Sequence, residues 1–143
     1  MLHEIEALEA RRIAELAAEA RRRRDRLFEK IPADSLGEPA PARGPHDPAH
    51  DIPLHDLMAG KPEMVALHDA VAALPPEILR AVWIVMEVGH GRFAAREWER
   101  AIAEAALLRD AEMVTSLMDE PELHVCLEKG LYMLREVAPG SAP

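Results

Sequence analysis

The chain has 143 residues, enough for one domain with a buried core, and Ala, Leu, Glu and Arg favour helix over strand. The formal net charge of −9 argues against a protein that binds nucleic acid through its overall charge. One cysteine excludes an internal disulfide, and no apolar signal or spanning segment is present, so we expect a cytoplasmic protein without membrane contact.

Residues 1–30 predict one amphipathic helix, from about residue 2 to residue 28. Its apolar residues fall in a stripe only roughly 80° wide. A stripe of this width indicates docking on one neighbour rather than a place inside a core. We expect the docking residues to include Ile5, Ile13 and Leu16.

A basic cluster lies near the end of this helix and consists of Arg21, Arg22, Arg23, Arg24 and Arg26. The cluster is interpreted first as a solvated face that pairs with neighbouring acids or with the acidic remainder of the chain. The second interpretation is a site for an acidic protein partner. The third is a nucleic-acid contact, which lacks the interleaved aromatic residues that such sites use.

A proline-rich linker is predicted over residues 31–53, which hold six of the twelve prolines. The linker and the residues after it contain three His-Asp steps, which place His46, His50 and His55 within ten residues. Histidine and carboxylate suit zinc, so these histidines are weak candidates for a metal site, with Asp51, Asp56, His68 or His90 as further ligands. The alternative is a polar loop whose Asp residues cap turns.

Two helices are predicted ahead of the central one. A short helical turn over 53–59 ends at Gly60, and a longer helix runs from Lys61 to Leu74. His68 lies on the apolar face of the longer helix, where a hydrogen-bonded core histidine is a more common role than a ligand or a base.

The most apolar part of the chain predicts a central buried helix from about Pro76 to Val88. It begins with a proline pair and an acid, and we expect Gly89 to be its C-terminal cap. The following amphipathic segment, residues 93–109, is expected to pack back on it as a helical hairpin. Trp83 and Trp98 are the expected core anchors of this hairpin.

Two helices are predicted at the end of the chain. Asp110 is expected to cap the first, which runs to Met118, and the second covers residues 121–137. Gly130 lies at the centre of the apolar face of the second, which indicates close approach of another helix. Cys126 on the same face is interpreted as a small buried hydrophobic residue rather than a nucleophile.

Two segments, AVWIVMEVGHGRFAAREWERAIAEA and MVTSLMDEPELHVCLEKGL, resemble a bacterial domain-of-unknown-function family. Members show a Trp-Leu-Gly-Arg-Gly-like stretch and a Tyr-Leu-Glu-Glu-Gly-Leu-like ending, and the resemblance covers roughly residues 62–134. It implies a bacterial helical domain and brings no known activity. The matching positions are Trp83, Gly89, Gly91, Trp98, Pro121, Leu123, Leu127, Glu128, Gly130 and Leu131.

We therefore predict an all-α protein: an N-terminal helix over 1–30, a linker over 31–53, a small helical bundle over 54–137 and a loose tail over 138–143. The predicted function is a non-enzymatic interaction or accessory subunit that docks through its first helix to itself or to another protein. The alternatives are a metal-binding protein or metal-dependent enzyme, and a nucleic-acid accessory protein. No catalytic residue and no cofactor are predicted, since no known catalytic signature is present.

Overall fold

The computed structural model describes residues 2–30 and 61–137, and every regular element in these two ranges is a helix. The all-α prediction and the long N-terminal helix are confirmed. The linker, the predicted turn at 53–59 and the tail at 138–143 lie outside the described residues. The helices are α1 (Glu4–Lys30), α2 (Pro62–Ala72), α3 (Pro76–His90), a 3-10 turn (Ala95–Glu97), α4 (Trp98–Ala105), α5 (Asp110–Asp119) and α6 (Leu123–Val137).

Helix α3 is the centre of the fold and contacts α1, α4, α5 and α6. Every residue from Ala81 to Gly89 is buried, as expected for a helix that is apolar on nearly all sides. The predicted cap at Gly89 is wrong, because α3 continues to His90 and Gly91 caps it in the left-handed conformation, with a φ of 90°. Gly89 packs against α6 instead, and Gly91 adopts the positive φ that ends the helix.

Two glycines bring the backbones of α3 and α6 into direct contact. A Cβ added to Gly130 would lie 2.0 Å from the Val85 carbonyl oxygen, and one added to Gly89 would lie 1.8 Å from the Cys126 carbonyl oxygen. The two contacts are one helical turn apart. Such close contacts between a glycine and a carbonyl oxygen of a neighbouring helix are typical sites of Cα–H···O=C interactions. The close approach that the sequence indicated at Gly130 is therefore present, and Gly89 provides a second one.

Helix α1 packs on the body of the protein, against α2, α3 and α6. It lies antiparallel to α6, since Arg21 pairs with Glu122 at the start of α6 while Arg11 shares a cleft with Arg135 near its end. Its buried side is lined mostly by small residues, which let the helices approach closely. These buried residues are Ala10, Ile13, Ala14, Ala17 and Ala20.

His68 is exposed, so the predicted core position is wrong. The buried face of α2 includes Ala70 together with Leu67 and Val71, so His68 lies outside it. The imidazole Nδ1 of His68 lies 3.6 Å from Asp69 Oδ1.

Three helix boundaries also differ from the sequence prediction. The segment 93–109 is not one helix, because a 3-10 turn precedes α4 and α4 ends at Ala105. The N-cap of α5 is Arg109 rather than Asp110, and Glu112 accepts the Arg109 N–H at 3.0 Å. Helix α6 begins at Leu123, after a break at Glu120 and Pro121, rather than at Pro121 itself.

Both tryptophans are buried in the core, on α3 and at the start of α4. The indole Nε1–H of Trp83 donates to Ser116 Oγ on α5 at 3.3 Å, which satisfies the one polar atom of this side chain. None of the helices within 2–30 and 61–137 combines the length and the apolar character needed to cross a bilayer.

Candidate functional site

Three side chains with metal-ligating atoms meet where α3, α5 and α6 converge: His90, Glu120 and Cys126. We refer to them as the His-Glu-Cys cluster. One imidazole nitrogen, one carboxylate oxygen and the cysteine sulfur lie within 4.8 Å of one another. His90 is the last residue of α3, Glu120 follows the end of α5, and Cys126 lies in the first turn of α6. Three different helix ends therefore contribute one donor atom each.

The carboxylate of Glu120 is held from two sides. Its Oε1 lies 2.7 Å from His90 Nε2, and its Oε2 accepts the backbone N–H of Glu122 at 3.1 Å. His90 is exposed over 38% of its side-chain surface, whereas Glu120 is half-buried and Cys126 is buried. The cluster thus reaches from the core at the sulfur to solvent at the imidazole.

The backbone explains why these residues meet. Because Gly89 has no side chain, the end of α3 rests directly on the Cys126 carbonyl, and the next residue is His90. Glu120 has extended backbone, with φ −80° and ψ 110°, in the break that separates α5 from α6. The break returns the chain toward the end of α3 and places the carboxylate beside the imidazole.

The thiol of Cys126 is not an activated nucleophile. Burial raises its pKa, and the negative charges of Glu120 and Glu122 raise the pKa further. A thiol in this environment stays protonated at neutral pH, while nucleophilic cysteines need a lowered pKa.

An ion pair between a buried carboxylate and an exposed guanidinium joins the last turn of α3 to the residues that follow it. Glu87 is only 2% exposed, and Arg92 Nη1 donates to both oxygens of its carboxylate at 2.9 and 3.0 Å. The Arg92 backbone N–H also donates to the Glu87 carbonyl oxygen at 3.0 Å. Arg92 therefore closes the end of α3 and neutralises the buried carboxylate.

The predicted docking residues of α1 fall on different sides of the helix. Ile13 is completely buried against the body, and Leu16 is half-buried. Ile5 is 62% exposed, and so is the neighbouring Leu8, at 57%. The residues of the expected narrow stripe therefore do not share one environment. Ile13 faces the body, whereas Ile5, near the N-terminal end of α1, faces solvent.

The basic cluster is paired largely within the chain. Arg21 pairs with Glu122, which directly precedes α6, and lies 3.8 Å from Asp25. Arg22 pairs with Glu19, and Arg24 Nη2 lies 3.2 Å from Asp25 Oδ1. These pairs are those expected from a solvated face that contacts the acidic body. The other candidate metal ligands, His46, His50 and His55, lie outside the described residues.

Sequence reasoning did not find the His-Glu-Cys cluster as a unit. It named His90 as a further metal ligand, but it found no histidine or carboxylate at helical spacing that would face Cys126. The partners come from two other elements, so no spacing within α6 reports them. The signals in the sequence are Gly89 beside His90 and the Asp-Glu-Pro break before α6.

Comparison with known proteins relates the chain to an uncharacterised family. Residues 65–135 match the model of a family described as a protein of unknown function, DUF3775. The expected resemblance to an uncharacterised domain family is confirmed by this match. No curated protein and no solved structure matches the chain.

Proposed function

We propose that this chain, whose residues 65–135 match the DUF3775 family, is a non-enzymatic accessory subunit that docks through α1 to a second copy of itself or to another protein. The observation that carries the proposal is the exposure of Ile5 and Leu8, two large aliphatic side chains one turn apart. Contiguous apolar surface with a polar rim is typical of interaction sites.

The body already covers the opposite side of α1, so the docking face is the side turned to solvent. Leu8 lies opposite the buried alanines around the helix, and Ile5 lies at the edge of the solvent side. The residues that continue this side toward the C-terminal end are charged, among them Arg12, Glu15 and Glu19. They form the polar rim of the apolar end.

A cleft next to this surface extends it onto α6. The cleft has a volume of about 350 Å³ and includes Arg11, Glu15 and the exposed side chain of Tyr132. Arg11 follows Leu8 by one turn on the same side of α1, so the aliphatic end and the cleft are continuous. Tyrosine and arginine are enriched in protein interfaces, which supports a protein rather than a small molecule as the occupant.

The raised pKa of Cys126 argues against a thiolate nucleophile at this position, which is compatible with the proposed non-enzymatic role. A cytoplasmic location is part of this proposal, and the free, buried thiol of Cys126 is compatible with it. Free thiols persist in reducing compartments.

Deleting α1 would not test the proposal, because deletion removes Ile13 and the buried alanines from the core. The sharper experiment places a photo-crosslinking amino acid at position 8 and, as a control, at position 107. Leu107 is 79% exposed and follows α4, away from α1. We expect a protein adduct from position 8, either the dimer of this chain or a heterologous complex, and none from position 107. Equal adduct formation at the two positions, or none at position 8, would contradict the proposal.

Light scattering then identifies the occupant. If α1 docks on a second copy, the full chain exceeds the monomer mass, and Ile5→Glu with Leu8→Glu returns it to a monomer. Leu107→Glu should leave the mass unchanged. A monomeric full chain that still crosslinks at position 8 assigns the face to another protein.

A further inference from the structure

The His-Glu-Cys cluster combines three donors of different chemistry: a nitrogen, an oxygen and a sulfur. Calcium and magnesium prefer oxygen ligands alone, whereas zinc accepts imidazole, carboxylate and thiolate together. Zinc sites with three protein ligands leave a fourth position for water. The donor set of His90, Glu120 and Cys126 is therefore that of an open zinc site.

The separations of the donor atoms are close to those that a single ion requires. Nitrogen, oxygen and sulfur ligands around one tetrahedral zinc lie about 3.3–3.5 Å apart, given bonds of roughly 2.0 Å to nitrogen or oxygen and 2.3 Å to sulfur. The three donor atoms of the cluster lie within 4.8 Å of one another, and His90 and Glu120 approach to 2.7 Å. Binding requires the two atoms of His90 and Glu120 to separate from 2.7 Å to about 3.3 Å, a change that side-chain rotation can supply.

The surroundings hold the ligands in place. The Glu122 N–H occupies Glu120 Oε2 and leaves Oε1 directed at the cluster, as outer hydrogen bonds do for metal-bound carboxylates. The contact between Gly89 and the Cys126 carbonyl fixes α3 and α6 relative to each other at this level. Two of the three ligands are thus carried by the most closely packed pair of helices in the fold.

The electrostatics and the access also suit a cation. A carboxylate oxygen of Glu120 lies within 4.8 Å of the buried sulfur, so negative charge already faces the position that the ion would take. A divalent cation would compensate this charge and stabilise the thiolate. The partly exposed imidazole of His90 provides a path from solvent.

We infer that His90 Nε2, a Glu120 carboxylate oxygen and Cys126 Sγ bind one zinc ion and so join the ends of α3, α5 and α6. The alternative is that His90 and Glu120 only share a hydrogen bond beside an inert thiol.

The test uses the full chain, produced without an affinity tag and stripped with a chelator. A variant with His46, His50 and His55 changed to Asn removes the other candidate ligands, so that binding at the cluster is measured alone. Zinc is titrated calorimetrically into the natural chain and into this variant. We expect one zinc ion per chain in the variant and a higher melting temperature with zinc than without it.

Cobalt provides the spectroscopic readout for the sulfur ligand. Co²⁺ at the site should give an intense near-ultraviolet thiolate-to-metal band together with visible bands of a tetrahedral ion. Cys126→Ser should abolish the near-ultraviolet band. His90→Asn and Glu120→Gln should each weaken zinc binding at least about tenfold, since loss of an outer-shell partner alone costs that much.

His68→Asn is the matched control, because His68 is an exposed histidine next to a carboxylate and lies outside the cluster. Zinc affinity should not change in this control. If Cys126→Ser fails to fold, His90→Asn decides, since its side chain is partly exposed at the helix end. Absence of zinc binding in the triple variant, or equal affinity in His90→Asn and His68→Asn, would overturn the inference and would leave the proposed docking face of α1 unaffected.

Discussion

Helices α3 and α1 both pack against α6, but they do so in different ways. Between α3 and α6 the backbones meet, and glycine on each helix faces a carbonyl oxygen on the other. Between α1 and the body the contact is made by alanine side chains and one large residue, Ile13, with ion pairs at the edge. The first contact has no space for one further carbon atom, whereas the second buries little apolar surface per residue.

The difference separates two roles within one fold. The α3–α6 pair sets the distance between helices at the level of Gly89 and Cys126, and so it determines the geometry of the His-Glu-Cys cluster. Helix α1 covers the core on one side and carries exposed aliphatic residues on the other. A helix held mainly by alanines is suited to present a docking face, because the body needs only its inner side.

The largest effect is expected from a methyl group in the α3–α6 contact. Gly130→Ala should destabilise the protein by about 3 kcal/mol or more, since overpacking against backbone cannot be relieved by a rotamer change. Helix propensity alone predicts the opposite sign, a gain of about 1 kcal/mol. Urea unfolding monitored by circular dichroism gives the difference.

Gly91→Ala is the control for this prediction. Its Cβ would meet no atom within 4 Å, but its φ of 90° disfavours alanine by roughly 1–2 kcal/mol. Gly130→Ala should therefore lose more stability than Gly91→Ala. A stabilised Gly130→Ala variant would show that α3 and α6 are farther apart than described.

A smaller loss is expected in the contact of α1. Ile13→Ala should cost about 2–4 kcal/mol, because a completely buried isoleucine leaves a cavity against the body. Leu16→Ala is the control and should cost less, since Leu16 is half-buried. Equal losses for the two variants in chemical denaturation would mean that α1 does not pack through its alanine side.

The third effect concerns the ion pair at the end of α3. Arg92→Ala leaves the buried carboxylate of Glu87 without the Nη1 donor that both of its oxygens share, and should cost about 1–3 kcal/mol in urea unfolding. Exposure of the Arg92 guanidinium to solvent keeps the expected cost below that of a fully buried pair. Arg96→Ala, at an exposed position nearby, should change stability by less than about 0.5 kcal/mol.

The smallest effect is expected at the rim of the α1 contact. Glu122→Gln removes the ion pair with Arg21, and partly exposed pairs contribute only about 0–1 kcal/mol. The loss should shrink as salt is added, because salt screens charges at the surface. A loss above about 2 kcal/mol that is independent of salt would show that charge rather than alanine packing holds α1.

Several elements could be predicted from the sequence because local rules determine them. Prolines begin α2 and α3, the apolar run predicts burial of α3, and the position of Gly130 on an apolar face predicts a close approach. The expectation for His68 failed because Ala70, a residue of little hydrophobic weight, determines which side of α2 turns inward. Gly89 and Gly91 are equivalent as cap signals in the sequence, and only the packing against Cys126 distinguishes them.

The His-Glu-Cys cluster could not be predicted as a site for a different reason. Its ligands come from three helix ends, and their meeting depends on the angle and distance between α3 and α6. Those quantities follow from the two glycine contacts together, which no single stretch of sequence reports. The exposure of Ile5 likewise depends on which side of α1 the body covers, and that side is centred on the small residues Ala10, Ala14 and Ala17 rather than on the large aliphatic ones.

Native-state hydrogen exchange measures the two helix contacts in one experiment. We predict that amides in residues 81–89 and 126–134 exchange only through global unfolding, with the free energy given by urea denaturation. Amides in residues 10–20 of α1 should exchange through a partial opening that is at least about 1 kcal/mol less costly, because mostly alanine surface is exposed. Equal protection of α1 and the α3–α6 pair, or weaker protection of the pair, would contradict the distinction between a fixed central pair and a docking helix.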